Sequence, residues 1–302
     1  TSLIAGYSEH SCGKESLNCY EHMQIEGVSP NVFTFISILK ACASIGAMHE
    51  IQEIHVDIER RGLFEQDVVL GSSLVDIYAK NGFLYKAQQV FDMLPIRNVV
   101  SWTSLVGGYV EYGQGLKALL CYEEMQFEGV FPTPFSLVFC LRACCSEGDL
   151  KKGREIHAMI LMEGLSADLM IGNTLIDMYM KRALFVSAQT VFRNLPIRDA
   201  ISWTTLIGGY AQHGHGEEAI RCFEQMQRID GFSPDAFTYA CILKACGTLK
   251  ASEKGQEIHG KVEKEGLLMK NVLVGTALID MYAKCGELSK AYEVFHQIPI
   301  RN

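Results

Sequence analysis

A Glu-Ile-His triplet recurs at His55, His157 and His259, each 102 residues beyond the last. Its surroundings recur with it: LKACAS, LRACCS and LKACGT begin at 39, 141 and 243, and VDIYAK, IDMYMK and IDMYAK begin at 75, 176 and 279. A chain that copies itself on this scale builds a stacked array, in which each unit buries its apolar face against the next. Length then counts units rather than separate cores, so the 302 residues read as one elongated domain.

Each block divides further into three units, every one read as two short helices. In residues 68–98, Leu74, Val75 and Tyr78 form one apolar face and Asn81-Gly82 supplies a turn. Ala87, Val90 and Phe91 form a second face before Pro95 forbids continuation. Ala188, Val191 and Phe192 repeat that second face, as do Ala291, Val294 and Phe295, and LPIRN, LPIRD and IPIRN at 94, 195 and 298 punctuate the units. A single hairpin cannot bury both faces. The expected fold is therefore all-α, an α-solenoid superhelix of stacked helix-turn-helix units with a concave groove.

Composition narrows the function. With 48% hydrophobic and 21% charged residues the chain is a folding sequence, and no apolar run approaches the roughly 18 residues needed to span a bilayer. The net charge of −8 weighs against non-specific nucleic-acid affinity, which comes from cations neutralising phosphates. Of eleven cysteines, Cys42, Cys144 and Cys246 fill one repeat position and no CxxC occurs, so buried, reduced thiols are expected.

Catalytic chemistry finds little footing. A zinc deaminase needs His-x-Glu followed by Pro-Cys-x-x-Cys. His215-Gly216-Glu217 matches the first half only, in the turn between two helices. The Glu-Ile-His histidines sit a block apart, too far to share one metal. No phosphate-binding glycine loop or nucleophile triad appears. The expectation is a non-enzyme with no cofactor, no metal, no small-molecule substrate and no membrane partner.

Units of 35, 35 or 36, and 31 residues rotate in fixed order and carry SWTSLVGGY, LRACCSEGDLKKGREIH and GNTLIDMY. This pattern resembles the P, L and S motifs of plant pentatricopeptide repeat proteins of the PLS subclass, over the whole chain. The resemblance places P at 1–31 (truncated), L at 32–67, S at 68–98, P at 99–133, L at 134–168, S at 169–199, P at 200–235, L at 236–271 and S at 272–302. The Trp-Leu-Gly-Tyr pattern of tetratricopeptide repeats is absent. TSLIAGY at the start matches TSLVGGY at 103–109 from the middle of a unit, so the sequence reads as a segment of a longer protein.

The fifth residue of each unit alternates in chemistry. P and S units carry Thr1, Ser72, Thr103, Asn173, Thr204 and Thr276; L units carry Ile36, Val138 and Ala240. The last residues are Asn31, Asp67, Asn98, Thr133, Asp168, Asp199, Asp235, Asn271 and Asn302. Asn and Asp there suit a base contact and equally suit an N-cap for the following helix. By resemblance, one base is read per repeat by the fifth and last residues together. Thr1 with Asn31, Ser72 with Asn98 and Thr276 with Asn302 then read adenine, Asn173 with Asp199 prefers uracil, and Thr204 with Asp235 prefers guanine. Thr103 with Thr133 lacks the expected Asn or Asp and is weakly selective. The roles of Ile36 with Asp67, Val138 with Asp168 and Ala240 with Asn271 stay open.

The second residue of each unit is apolar: Phe33, Val69, Val100, Phe135, Met170, Ile201, Phe237 and Leu273. In the family such residues sandwich bases, a role assigned here to Val69, Val100, Met170, Ile201 and Leu273; the alternative is a core residue at a helix start. Arg97, Arg198 and Arg301 suit phosphate contacts or the solvated turns they punctuate.

The resemblance thus implies a sequence-specific single-stranded RNA-binding module that supplies target recognition for organellar C-to-U editing, in mitochondrion or chloroplast. It also implies editing-accessory proteins docking on L units. An α-solenoid protein-interaction scaffold is the alternative. Asn173→Thr, which sets threonine against Asp199, is expected to move preference at that nucleotide from uracil to guanine and leave the adenine positions untouched. Competition binding with single-base RNA variants reads this out, and a uniform loss of affinity would make Asn173 structural.

Overall fold

The computed structural model describes residues 1–64, 67–229 and 231–298. Among them the fold is an all-α solenoid of helical hairpins, with nineteen α-helices and one short 3-10 turn. Chain packing groups these into two compact units, residues 1–153 and 154–302.

The first unit contains α1 (Ser2–Glu9), α2 (Gly13–Ile25), α3 (Val32–Ser44), α4 (Met48–Arg60), α5 (Val68–Lys80), α6 (Leu84–Met93), α7 (Val99–Glu111), α8 (Gly115–Phe127) and α9 (Pro134–Glu147). Helix α10 (Leu150–Met162) carries the boundary. The second unit continues with a 3-10 turn (Leu165–Ala167), α11 (Leu169–Lys181), α12 (Phe185–Asn194), α13 (Ala200–Gln212), α14 (Gly216–Arg228), α15 (Ala236–Leu249), α16 (Ser252–Lys264), α17 (Leu267–Lys270), α18 (Val272–Lys284) and α19 (Leu288–Gln297). In the first unit α1, α3, α5, α7 and α9 pack side by side in chain order, and in the second α11, α13, α15 and α18 do the same. Within each unit the leading helices of the hairpins form a layer, and trailing helices pack behind it.

The apolar periodicity is buried where the repeats require it. Leu74, Val75 and Tyr78 of α5 and Ala87, Val90 and Phe91 of α6 are all within 1% of complete burial. Trp102 meets Phe91 edge-on at 4.5 Å, and Trp203 meets Phe192 at 4.6 Å, so each SWT segment closes on the preceding VF pair. The GGY that follows is also a packing signal. A Cβ on Gly108 would lie 2.7 Å from the Cβ of Ala79, and one on Gly209 would lie 2.6 Å from the Cβ of Met180. Only glycine lets α7 approach α5, and α13 approach α11, so closely.

The two-helix reading of every unit is incomplete in the L segments. Residues 165–167 and 267–270 form extra helical turns, each preceded by a glycine in the left-handed region, Gly164 (φ 70°) and Gly266 (φ 64°). These turns fill the stretch between the second helix and the next cap, and buried Leu268 pins one of them to the core.

The Glu-Ile-His triplet has a structural explanation. His55, His157 and His259 hydrogen-bond through Nδ1 to the hydroxyls of Tyr78, Tyr179 and Tyr282, at 3.1, 2.8 and 2.9 Å. The tyrosines belong to the VDIYAK, IDMYMK and IDMYAK segments, so the two strongest repeat signatures are the two halves of one contact. Burial pushes Tyr78 and Tyr282 up to about 12 and lowers all three histidines, even with Glu59 3.3 Å from His55. The phenols therefore stay protonated and share these hydrogen bonds with neutral imidazoles.

All eleven cysteines are free; Cys42, Cys121, Cys140, Cys144, Cys222 and Cys246 are buried. The expectation of burial fails for Cys12, Cys19, Cys145, Cys241 and Cys285, which are only partly buried. Burial raises the Cys42, Cys121 and Cys144 thiols to about 12, so they act as small apolar side chains.

Two outcomes follow from this packing. Gly108→Val should cost about 1 to 3 kcal/mol in a urea melt, because its side chain is driven into Ala79. The histidines bind protons more weakly folded than unfolded, so stability should be full above about pH 6.5 and fall as the pH drops through their depressed folded values. Thermal melts between about pH 7.5 and 5 should show this slope, and the triple His→Gln variant should flatten it.

Candidate nucleic-acid interface

Each leading helix after α1 starts from a polar side chain that closes its first turn. Asn31, Asp67, Asn98, Thr133, Asp168, Asp199 and Asp235 accept from the N3 backbone N–H at 2.7 to 3.3 Å. Asn271 accepts from Leu273 N–H at 3.0 Å. Every last-position residue the structure describes is therefore an N-cap; Asn302 lies outside the described residues.

The cap also brings the fifth position to the same place. Ser72 Oγ, whose hydroxyl donates to the Val68 carbonyl at 2.7 Å, lies 3.2 Å from Asn98 Oδ1, and Asn173 Nδ2 donates to Asp199 Oδ1 at 3.2 Å. In two P units a bridge intervenes: Thr1 Oγ1 bonds Thr34 Oγ1 at 2.9 Å and Thr204 Oγ1 bonds Thr238 Oγ1 at 2.7 Å. Thr34 and Thr238 in turn donate to Asn31 Oδ1 and Asp235 Oδ1 at 2.9 and 2.7 Å. These bridging hydroxyls escaped the sequence reading, although a Ser or Thr three residues after a capping Asn or Asp has capping-box spacing. Thr103 and Thr133 share no hydrogen bond, and Thr103 Oγ1 is buried with no partner. Thr276 Oγ1 turns back to the Val272 carbonyl at 2.9 Å.

Capping decides which atom each residue presents outward. The N–H of N3 demands an oxygen, so in Asn31 and Asn98 Oδ1 is engaged and the Nδ2 donors remain available. In Asp199 and Asp235 the remaining oxygen is an acceptor. Partial burial acts to raise the Asp199 pKa, but hydrogen bonds from Ser202 and Asn173 outweigh it and hold the carboxyl below its ordinary value. Asp199 is thus ionised at neutral pH. Asn173 Oδ1 is buried beside it without a hydrogen-bond partner.

One residue past the helix start, the apolar second positions face solvent. Phe33 is 74% exposed and Ile201 63%, and Val69, Val100, Phe135, Met170, Phe237 and Leu273 are exposed too. The alternative reading of these eight as core residues is corrected: N2 points away from the layer behind, whereas Thr34, Ser101, Ser136, Ser202 and Thr238 at N3 are fully buried. In the L units Ile36 and Val138 are half-buried and Ala240 is 9% exposed.

The turn arginines are held by protein groups. Arg97 pairs with Glu128 at 2.7 Å and lies 4.9 Å over the Phe91 ring. Arg198 donates to the Phe192 and Arg193 carbonyls and lies 5.0 Å over Phe192. Arg301 is outside the described residues. His215 immediately precedes α14 and sits 4.4 Å from the Phe185 ring, a packing role. Among the described residues no group of three or more His, Cys, Asp or Glu is placed to hold a metal ion.

Models of the PPR repeat family match residues 97–146 and 198–248, the pentatricopeptide repeat domain model matches 18–63, and the PPR repeat model matches 1–28, 72–99 and 276–302. Among curated proteins, the chloroplastic pentatricopeptide repeat-containing protein At4g18520 of Arabidopsis thaliana is 36% identical over 302 residues, covering 100% of this chain and 48% of its own length. Another chloroplastic relative, At1g11290, is 37% identical over 301 residues, or 100% of this chain and 37% of its own length. The mitochondrial At3g53360, also of Arabidopsis thaliana, is 36% identical over 265 residues, or 88% and 34%. The chain thus spans about a third to a half of these relatives. Among solved structures, pentatricopeptide repeat protein PPR10 in complex with an 18-nt psaJ RNA element superposes with a TM-score of 0.72 at 17% identity, over 97% of this chain and 49% of PPR10. A structure of PPR10 from maize gives 0.57 at 19% identity, over 98% and 48%. With its repeats matched by these models and its whole length by these relatives, the chain belongs to the pentatricopeptide repeat family.

Proposed function

We propose that this chain is a sequence-specific single-stranded RNA-binding module, one base per repeat, and that the side-chain pairs on the leading-helix layer do the reading. The observation that carries this is the convergence of fifth and last residues at the caps of Ser72 with Asn98 and Asn173 with Asp199. The PPR10 complex with RNA supports the ligand class at the level of the family.

The chemistry follows from the outward atom. Adenine presents an unprotonated ring nitrogen, which accepts from the free amide of Asn31 or Asn98. Guanine and uracil present a ring N–H, which donates to the free carboxylate oxygen of Asp235 or Asp199. A short Ser or Thr at the fifth position leaves room for a purine, and the longer Asn173 reaches a pyrimidine. The exposed apolar side chains at N2, Val69, Val100, Met170, Ile201 and Leu273 among them, offer surfaces between which bases insert. Read along the chain 5′ to 3′, the site is adenine, any, adenine, any, any, uracil, guanine, any, adenine. The last adenine rests on Thr276 with Asn302.

In this reading the module selects transcripts for organellar C-to-U editing, with the deaminase activity supplied from outside these repeats. Chloroplastic and mitochondrial relatives support an organellar site of action. Editing-accessory proteins docking on the L units are a further part of this reading.

Selection of the chain against a randomised RNA pool at fixed near-physiological salt should enrich adenine, adenine, uracil-guanine and adenine at that spacing. A folded chain that enriches nothing sinks the proposal in favour of a protein-binding scaffold. Asn98→Asp keeps the N-cap, so stability should change by less than about 0.5 kcal/mol. It exchanges an outward donor for an acceptor, and preference at that nucleotide should move from adenine to guanine.

A further inference from the structure

The ninth residue of each unit rotates in chemistry with the repeat. P units have a small residue there (Ala5, Gly107, Gly208), S units an acid (Asp76, Asp177, Asp280) and L units a cation (Lys40, Arg142, Lys244). The acids are neutralised within their own helices, by Lys80 at 2.7 Å, Lys181 at 2.8 Å and Lys284 at 2.6 Å. The L-unit cations are different. All three are exposed, and no ion pair holds any of them among the described residues; Arg142 only rests 6.0 Å from the Phe139 ring of its own helix.

Helical spacing puts these cations on the layer that carries the candidate reading positions. Residues two, six and nine of a unit lie on one helix face, so Lys40 follows Phe33, Arg142 follows Phe135 and Lys244 follows Phe237. In the second unit the face is an open cavity of about 460 Å³ across α13, α15 and α18, where Lys244 shares the wall with exposed Phe237 and Leu273. The small Ala240 and Gly208 leave its floor open, and the acid that also lines it, Asp280, is held by Lys284. A Cβ at Gly208 would already touch Phe237 at 3.4 Å, and one at Gly107 would meet Phe139 at 2.9 Å, so the small P-unit residue keeps space open beside the L helix.

We propose that Lys40, Arg142 and Lys244 each bind one backbone phosphate of the RNA, making the L units sequence-independent anchors between P and S units that read bases. This rests on the RNA-binding reading above. An aliphatic fifth residue cannot bond a base edge, but an unpaired cation one turn further along the same face can take the nucleotide's phosphate. It also puts positive charge where a chain of net charge −8 needs it.

The test is a salt titration of affinity for the RNA recovered by selection, using the whole chain. The variant is Lys40→Gln/Arg142→Gln/Lys244→Gln. A charge-matched control, Lys14→Gln/Arg60→Gln/Lys264→Gln, removes exposed cations from the trailing helices. Single strands give about 0.7 of log–log slope per phosphate neutralised, so the variant's slope should be shallower by about 2. From about 50 to 200 mM salt the unmodified chain should therefore lose roughly 20-fold more affinity than the variant, which keeps the same base preferences. A variant slope equal to that of the unmodified chain overturns the inference, as does an equal loss of slope in the control or a change in base preference. If the unmodified chain binds an acidic peptide but no RNA, the RNA-binding reading itself fails, and this inference with it.

Discussion

The hydrogen bond that a first-turn backbone N–H of each leading helix after α1 donates to a side-chain oxygen is the constraint on which the candidate interface depends. It must be made, since a helix start has donors without intrahelical partners. Making it fixes the rotamer of the last residue of one unit at the mouth of the next, beside the fifth residue of its own. It also commits one oxygen of that side chain, so Asn and Asp differ only in the atom left over, a donor in one and an acceptor in the other. A stability device thereby becomes a chemical choice with two settings, and exchanging them leaves the helix start intact.

The repeats supply the rigid support. No hairpin has a core of its own; its apolar faces close only against neighbours, through contacts such as Trp102 on Phe91 and the glycine-mediated approach of α7 to α5. The histidine–tyrosine bonds link the trailing helix of each L unit to the leading helix of the S unit that follows. Burial keeps the imidazole neutral and the phenol protonated in each of these contacts.

Much of this was legible in the sequence because it is periodic. The 102-residue recurrence, the apolar faces around Leu74 and Val90, and the alternation of polar and aliphatic fifth residues required only counting. Less legible was anything that depends on which atoms meet. His55 and Tyr78 were each visible as repeated letters, but their hydrogen bond joins residues 23 apart on different helices. Phe33 and Phe237 looked equally fit for a core or a surface until the helix start turned them outward. The bridging of Thr1 and Thr204 through Thr34 and Thr238 depends on the crossing of adjacent helices, which no local pattern encodes.

Sequence alone determined that this chain is a tandem array of helical hairpins of the pentatricopeptide type, because hydrophobic periodicity and turn residues act over a few positions and repeat faithfully. Tertiary structure alone decided that the capping residue and the fifth residue converge, that the N2 side chains are exposed, and that the turn arginines are occupied by Phe91, Phe192 and Glu128. Those outcomes depend on how far apart successive helices sit and at what angle they cross. Packing volume at positions such as Gly108 and Gly209 sets that geometry, and the letters do not.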